Sequence, residues 1–176
     1  IAYQGLCRGV SEDVSAVKIF REAGVPLFVS WSASKNHTIY ALRTGIACAV
    51  APTKEVQAEI EAHYMILLRQ MHSAAPTSGQ SIVALTQEKF QDQWQEELRT
   101  LRTLLTRKRQ FLIDAFPQWS GALEGEGLFT MFPLSAEQVQ RLKREKVFLT
   151  DDGRINIAGI PEAKLAELAA KVQKVL

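Results

Sequence analysis

Little in this sequence is present in excess, and the shortages come first. Only two cysteines occur, Cys7 and Cys48, far apart and without metal-ligand spacing. That excludes a disulfide framework and a thiolate zinc site, and it suits a reducing, cytoplasmic compartment. Long apolar runs are missing: the longest, around Ile46 to Val50, is far below the roughly 18 residues needed to span a bilayer. No basic-then-apolar leader opens the chain, which begins Ile1-Ala2-Tyr3-Gln4-Gly5 without a methionine. Charge of one sign is not in surplus either. Twenty-one Lys and Arg against 19 Asp and Glu leave a net charge of +2, which calls for neither nucleic acid nor an acidic membrane as partner. The three histidines, His37, His63 and His72, lack metal-ligand spacing and read as surface or packing residues, so no metal is expected.

What is there is ordinary globular composition. The chain has 176 residues, 47% of them hydrophobic, enough to bury a core in one good-sized domain or two small ones. Ser11 to Gly24 reads as a short helix, with Ser11 as N-cap and Gly24 closing the end before Pro26. Leu27-Phe28-Val29 and Ile46 to Val50 read as short buried strands. The stretch between them is polar and holds Ser32, Ser34, Lys35, Asn36, His37, Tyr40 and Arg43. Polar loops on rigid strands are where chemistry tends to sit.

Two long helices are expected next. Val56, Ile60, Tyr64, Leu67, Leu68 and Met71 form a stripe after Thr53 as cap. A second stripe runs through Phe90, Trp94, Leu98, Leu101, Leu105 and Leu112, after a Pro76 to Gly79 break. Both read as core packing. Beyond Pro117 the pattern shortens. Strands are expected at Gly127 to Phe132, Val147 to Leu149 and Ile155 to Ile157, with a turn at Asp151-Asp152-Gly153. Ser135 to Gln138 has capping-box form with Leu134 and Val139 as staple. A last helix from Pro161 buries Leu165, Leu168, Val172 and Val175 or Leu176. The alternation of strand and helix gives an α/β class, with a domain boundary inside or just after the Phe90 to Leu112 helix.

Lys35 follows a strand, where an amine can be desolvated and its pKa lowered. A neutral amine is what Schiff-base formation with an aldehyde requires. Ser32, Ser34 and the fork of Arg43 are suitable donors to a phosphate. Together they suit pyridoxal 5'-phosphate, which presents an aldehyde at one end and an anion at the other.

Four motifs then fall in order: Ala2-Tyr3-Gln4-Gly5, Ser32-Ala33-Ser34-Lys35-Asn36, Tyr40-Ala41-Leu42-Arg43-Thr44-Gly45 and Gly153-Arg154-Ile155-Asn156-Ile157-Ala158-Gly159. With Gly127-Leu128-Phe129 they resemble the C-terminal part of an aspartate/aromatic amino-acid aminotransferase, of the fold type I pyridoxal-phosphate family. The resemblance runs from Ile1 to Leu176. It implies the end of a large cofactor-binding domain over residues 1–90, an interdomain helix over 91–116 and a small domain over 117–176.

The resemblance also implies roles. Lys35 would form the Schiff base and then move the proton between substrate Cα and cofactor C4′. Tyr3 would donate to the ring oxygen of the cofactor. Ser32 and Arg43 would hold its phosphate, with Ser34 assisting. Arg154 would grip the α-carboxylate of the amino acid, and Arg69 would reach across a homodimer to a dicarboxylate side chain in the neighbouring site. The implied reaction is ping-pong transamination of aspartate, glutamate or aromatic amino acids with a 2-oxo acid. The family places an aspartate, partner of the pyridinium nitrogen, immediately before the position of Ile1. These residues alone are therefore expected to be an inactive, self-associating fragment.

The sequence departs from the family in two places. The family lysine is commonly followed by Asn-Phe-Gly-Leu-Tyr, whereas here Asn36 precedes His37-Thr38-Ile39-Tyr40. Aspartate-specific members carry a tyrosine and an asparagine after the distal arginine, whereas here Met71-His72-Ser73-Ala74 follow. Ala74 would admit an aromatic side chain, which argues against strict aspartate specificity. The rival reading is a non-enzymatic regulatory or binding protein that reuses the fold.

Overall fold

The first helical segment starts differently from its sequence signature. In the computed structural model, which describes residues 1–176, Glu12–Val14 is a 3-10 turn and helix α1 is Ser15–Glu22. Ser11 makes no capping bond. Its neighbour Asp13 instead turns its carboxylate back onto the preceding loop, where it accepts N–H groups from Gly5, Cys7, Arg8 and Gly9 at 2.8–3.3 Å. The far end follows the pattern closely. Gly24 has φ +68, and Val25 N–H reaches Phe20 O while Gly24 N–H reaches Arg21 O, the two bonds of a Schellman stop.

Strand β1 (Leu27–Ser32) runs antiparallel to β2 (Gly45–Val50), with Ser32 opposite Gly45 and Leu27 opposite Val50. The backbone of Ile1 bonds along the other edge of β1, at Ser30 and Ser32. Contrary to the reading as buried strands, Phe28, Ile46 and Cys48 are exposed. An apolar run shows that a strand can be buried; it does not say what covers it. Between the strands lie α2 (Ala33–Asn36) and a 3-10 turn at Tyr40–Leu42.

Helix α3 (Lys54–His72) is capped as expected, with Val56 N–H on Thr53 Oγ1. Its stripe is not core, however: Val56, Leu67, Leu68 and Met71 are exposed. A helical period identifies residues that share a face, not a partner for that face. The break falls at Ser73 to Thr77, around Pro76 as expected but ending before Gly79, and a further helix, α4 (Ser78–Lys89), follows it. Gly79 is buried there against the Thr44 side chain, which a Cβ would overlap. Helix α5 (Gln91–Ala115) follows. Of its stripe, Leu98, Leu105 and Leu112 are buried, whereas Phe90 and Leu101 are exposed.

The chain divides into two compact units, Ile1–Arg99 and Thr100–Leu176. The second holds a continuous core in which Phe116, Leu123, Phe132, Leu142, Ile157 and Val172 are fully buried. Truncating one of the two phenylalanines to alanine should cost about 3–5 kcal/mol. Helix α6 (Ser120–Leu123) precedes β3 (Phe129–Met131), which pairs antiparallel with β4 (Arg154–Asn156). Helix α7 (Ala136–Arg144) carries the full Ser135/Gln138 capping box. Helix α8 (Leu165–Val175) buries Val175 and leaves Leu176 exposed.

Val147 to Leu149 does not pair as a strand. Lys146 has φ +61, and Val147 N–H closes back on Leu142 O, so the segment leaves α7 as a turn. The Asp151-Asp152-Gly153 turn is present. Gly153 (φ +83) is required there, since a Cβ would overlap Phe132 O.

Two cations are buried in the second unit. Lys108 donates to the carbonyls of Ile157, Ala158 and Ile160, and Arg109 donates to those of Leu123, Gly127 and Phe129. Each gathers carbonyls from a segment without full ladder partners, which is what a buried cation needs in order to be tolerated.

Candidate functional site

Lys35 sits on α2, one turn of helix set directly on the end of β1. Ser32 is its N-cap: its Oγ accepts Ser34 N–H at 3.2 Å and donates to Ser34 Oγ at 3.1 Å. Ala33 N–H bonds Thr44 O at 3.0 Å. That bond continues the β1–β2 ladder and brings Arg43, one residue before Thr44, to the same end of the sheet as Ser32. Arg43 has φ +50, a left-handed conformation uncommon for a bulky residue and often found where function constrains the chain. Its Nη1 donates to Tyr40 O at 3.1 Å, and the rest of its fork is unengaged.

The Lys35 ammonium rests 4.3 Å from the centroid of the Tyr40 ring and makes no ion pair. It is half-buried rather than enclosed. Tyr3 lies in the turn that follows Ile1, exposed, with its carbonyl accepting Leu6 N–H at 2.9 Å. The structure thus gathers Ser32, Ser34, Lys35 and Arg43 around α2 and runs the Tyr3 segment alongside it through the Ile1 bonds.

Arg69 lies exposed on the last turn of α3 and makes no ion pair. Beside Arg43 a cavity of about 640 Å³ opens, lined by Thr44, Tyr64, Leu68, Met71 and His72 among others. Arg154, in the second unit, is the first residue of β4 rather than part of a turn. Its guanidinium lies 5.4 Å from the centroid of the Phe129 ring, and its N–H bonds Asp152 Oδ1 at 3.2 Å. The Asp152 carboxyl is held below its usual range, by the Thr150 hydroxyl first and the Arg154 N–H second.

Sequence reasoning passed over the groups that hold α2. Trp94 Nε1–H donates to Asn36 O at 2.8 Å, and Trp31 Nε1–H donates to Gln4 Oε1 at 2.7 Å. His37 stacks on Trp94, with ring centroids 4.9 Å apart, and meets Trp31 edge-on at 5.8 Å. The period of the second stripe marked Trp94 as apolar, but nothing in the sequence indicated its partner.

The family described as "Aminotransferase class I and II" matches residues 1–172. The chain belongs to this aminotransferase family. It is 32% identical to aspartate aminotransferase 1 of Medicago sativa over 185 aligned residues, covering 99% of this chain and 44% of that one. It is 33% identical to the tyrosine aminotransferase of Rhizobium meliloti, covering 97% of this chain and 46% of that one. Among solved structures, an aromatic-amino-acid aminotransferase from Burkholderia pseudomallei, described as covalently bound to pyridoxal phosphate, aligns with TM-score 0.91 and 28% identity over 100% of this chain and 46% of that one. The chain therefore spans slightly under half the length of the aminotransferases it matches, and corresponds to their C-terminal part. The fold is that of the fold type I aminotransferases. No helix is long and apolar enough to cross a membrane.

Proposed function

We propose that this chain carries the lysine, the phosphate donors and the carboxylate-binding arginines of a pyridoxal-phosphate aminotransferase. Its substrates would be aspartate, glutamate or aromatic amino acids and a 2-oxo acid. The observation that carries the reading is the constellation on α2: an amine with no ion pair, two hydroxyls at the helix start, and a guanidinium with most of its fork unengaged. This donor set fits a phosphorylated aldehyde.

When bound, the cofactor supplies an electron sink for the bond being broken at the substrate Cα. The residues of the chain do the remaining work. The Lys35 amine would be the covalent anchor and the base that moves the proton at Cα. The Ser32 and Ser34 hydroxyls and the Arg43 guanidinium would hold the phosphate, and Tyr3 would donate a hydrogen bond to the ring oxygen. Arg154 binds the α-carboxylate as a planar, permanently charged fork. Arg69 serves a dicarboxylate side chain in the adjacent site of a homodimer.

The test is borohydride reduction of the intact protein loaded with pyridoxal phosphate, followed by peptide mapping. Label on Lys35 together with amino-acid-dependent turnover supports the reading. Label on another lysine, or cofactor binding without turnover, sinks it in favour of a binding or regulatory protein.

A further inference from the structure

Helix α2 is a single turn and cannot hold itself together; one turn of helix is far below the length at which helices persist alone. What holds it is a set of bonds at its C-terminal end. His37 is the C-cap residue, its N–H bonded to Ala33 O at 3.1 Å. The carbonyl of Asn36, which the short helix leaves without an internal partner, is taken by Trp94 Nε1–H. The His37 ring is then clamped between Trp94 and Trp31.

The hydrogen bonds select one form of that ring. Asn36 Nδ2 is committed to Gln4 O at 3.1 Å, so Asn36 Oδ1 is the atom that faces His37 Nδ1 at 3.0 Å. An amide oxygen only accepts, so Nδ1 must carry the proton. On the opposite side, Gln87 Nε2 lies 3.4 Å from His37 Nε2. An amide NH2 only donates, so Nε2 must accept. Both ring nitrogens are therefore satisfied in the neutral Nδ1–H tautomer. A second proton on Nε2 would meet the Gln87 NH2 donor-to-donor and would require that amide to turn over and present its oxygen.

We propose that His37 is a positioning residue for Lys35: its neutral ring locks the turn of α2 that presents the Lys35 amine, and protonation unlocks it. The proposal rests on the reading of Lys35 as the cofactor-binding lysine. The groups that face the ring are Trp31 from β1, Gln87 from α4, and Trp94 from α5. On its own helix, Asn36 contacts it and Lys35 directs its amine to Tyr40. None of the contacting groups is charged. Stacking on Trp94 favours the cation, but burial opposes it, and the net direction is downward.

The test uses the intact protein, wild type and His37→Phe, with His37→Gln as a second variant that keeps polarity and loses the ring. Without cofactor, indole emission and amide exchange are followed as pH falls. In wild type the emission should change with a midpoint below the ordinary histidine value of about 6.5. Below that midpoint, exchange at the bonded amides of His37 and Thr38, corrected for intrinsic rate, should rise by about tenfold. His37→Phe should show neither change, and His37→Gln should exchange fast at every pH. With pyridoxal phosphate, cyanoborohydride labelling of Lys35 should show an added loss through that midpoint in wild type, beyond the smooth decline from amine protonation that His37→Phe shares. The same emission titration in His37→Phe as in wild type overturns the proposal. So does a titrating His37 with unchanged exchange at His37 and Thr38. Absence of label in all proteins at every pH refutes the cofactor reading, while emission and exchange still decide whether the clamp exists.

Discussion

Asn36 donates from Nδ2 to the backbone carbonyl of Gln4 at 3.1 Å. This bond joins the residue after Lys35 to the residue after Tyr3, so two segments more than thirty positions apart in sequence are held at neighbouring points. Asn36 is buried and serves two partners, Gln4 and His37. Asn36→Ala should cost about 1–3 kcal/mol, the usual penalty for leaving buried polar groups unpaired. Urea unfolding of the two proteins measures it, and a loss too small to resolve would mean that water replaces the side chain.

Thr38 has φ +55, next to the Lys35 helix and exposed. A β-branched residue in that region is strained by roughly 1–2 kcal/mol, and glycine is not. Thr38→Gly should therefore stabilise the folded chain, by about 1 kcal/mol once the greater freedom of unfolded glycine is subtracted. A lowered denaturation midpoint would contradict this.

Lys108→Ala removes the donor shared by three carbonyls at Ile157, Ala158 and Ile160. A loss of about 2–4 kcal/mol is expected, from the missing charge-assisted bonds and the buried stem. Lys108→Arg should not rescue it, because a planar fork does not fit the arc made by these acceptors. Recovery of full stability with arginine would show that charge alone suffices.

Glu167 is held to about 2 by hydrogen bonds from Lys164 first and Lys171 second, with their charges adding to the effect. A carboxyl depressed in the folded state contributes stability that is fully present above its ordinary range and lost as pH falls from there towards 2. The pair is exposed, so the contribution should shrink in high salt. Comparison of wild type with Glu167→Gln in thermal melts from pH 7 to pH 2 tests the sign. The difference between them should close at the acid end and with added salt.

Arg69→Ala in the intact protein should lower kcat/KM for aspartate far more than for phenylalanine or tyrosine. A carboxylate taken out of water needs a charged partner, whereas a ring does not. Equal losses for both classes would remove Arg69 from substrate binding.

Local signals read correctly where the interaction itself is local. Thr53 and Ser135 cap, Gly24 stops α1, and Gly153 turns the chain before β4, because each of these needs only neighbours in sequence. The grouping of Ser32, Ser34 and Lys35 was legible for the same reason, since they lie within four positions. What could not be read depends on distant partners. The stripe on α3 fixed a face but not its neighbour. Val147 to Leu149 has strand composition yet lacks a strand beside it. The roles of Trp94, Gln87 and Asp13 follow from contacts across the fold that no spacing encodes.

The Asp13 carboxylate has a consequence for which substitutions the loop ahead of it can accept. One side chain satisfies four main-chain amides, those of Gly5, Cys7, Arg8 and Gly9. A backbone N–H is the same whatever residue bears it, so these bonds ask nothing of the side chains at positions 7 and 8. Proline alone is forbidden, since it has no N–H to give. Positions 7 and 8 can thus change without breaking these bonds, and the cost of that freedom is concentrated at position 13. There even asparagine, which replaces one acceptor oxygen by an NH2 group, would turn a donor towards two of the amides it has to hold.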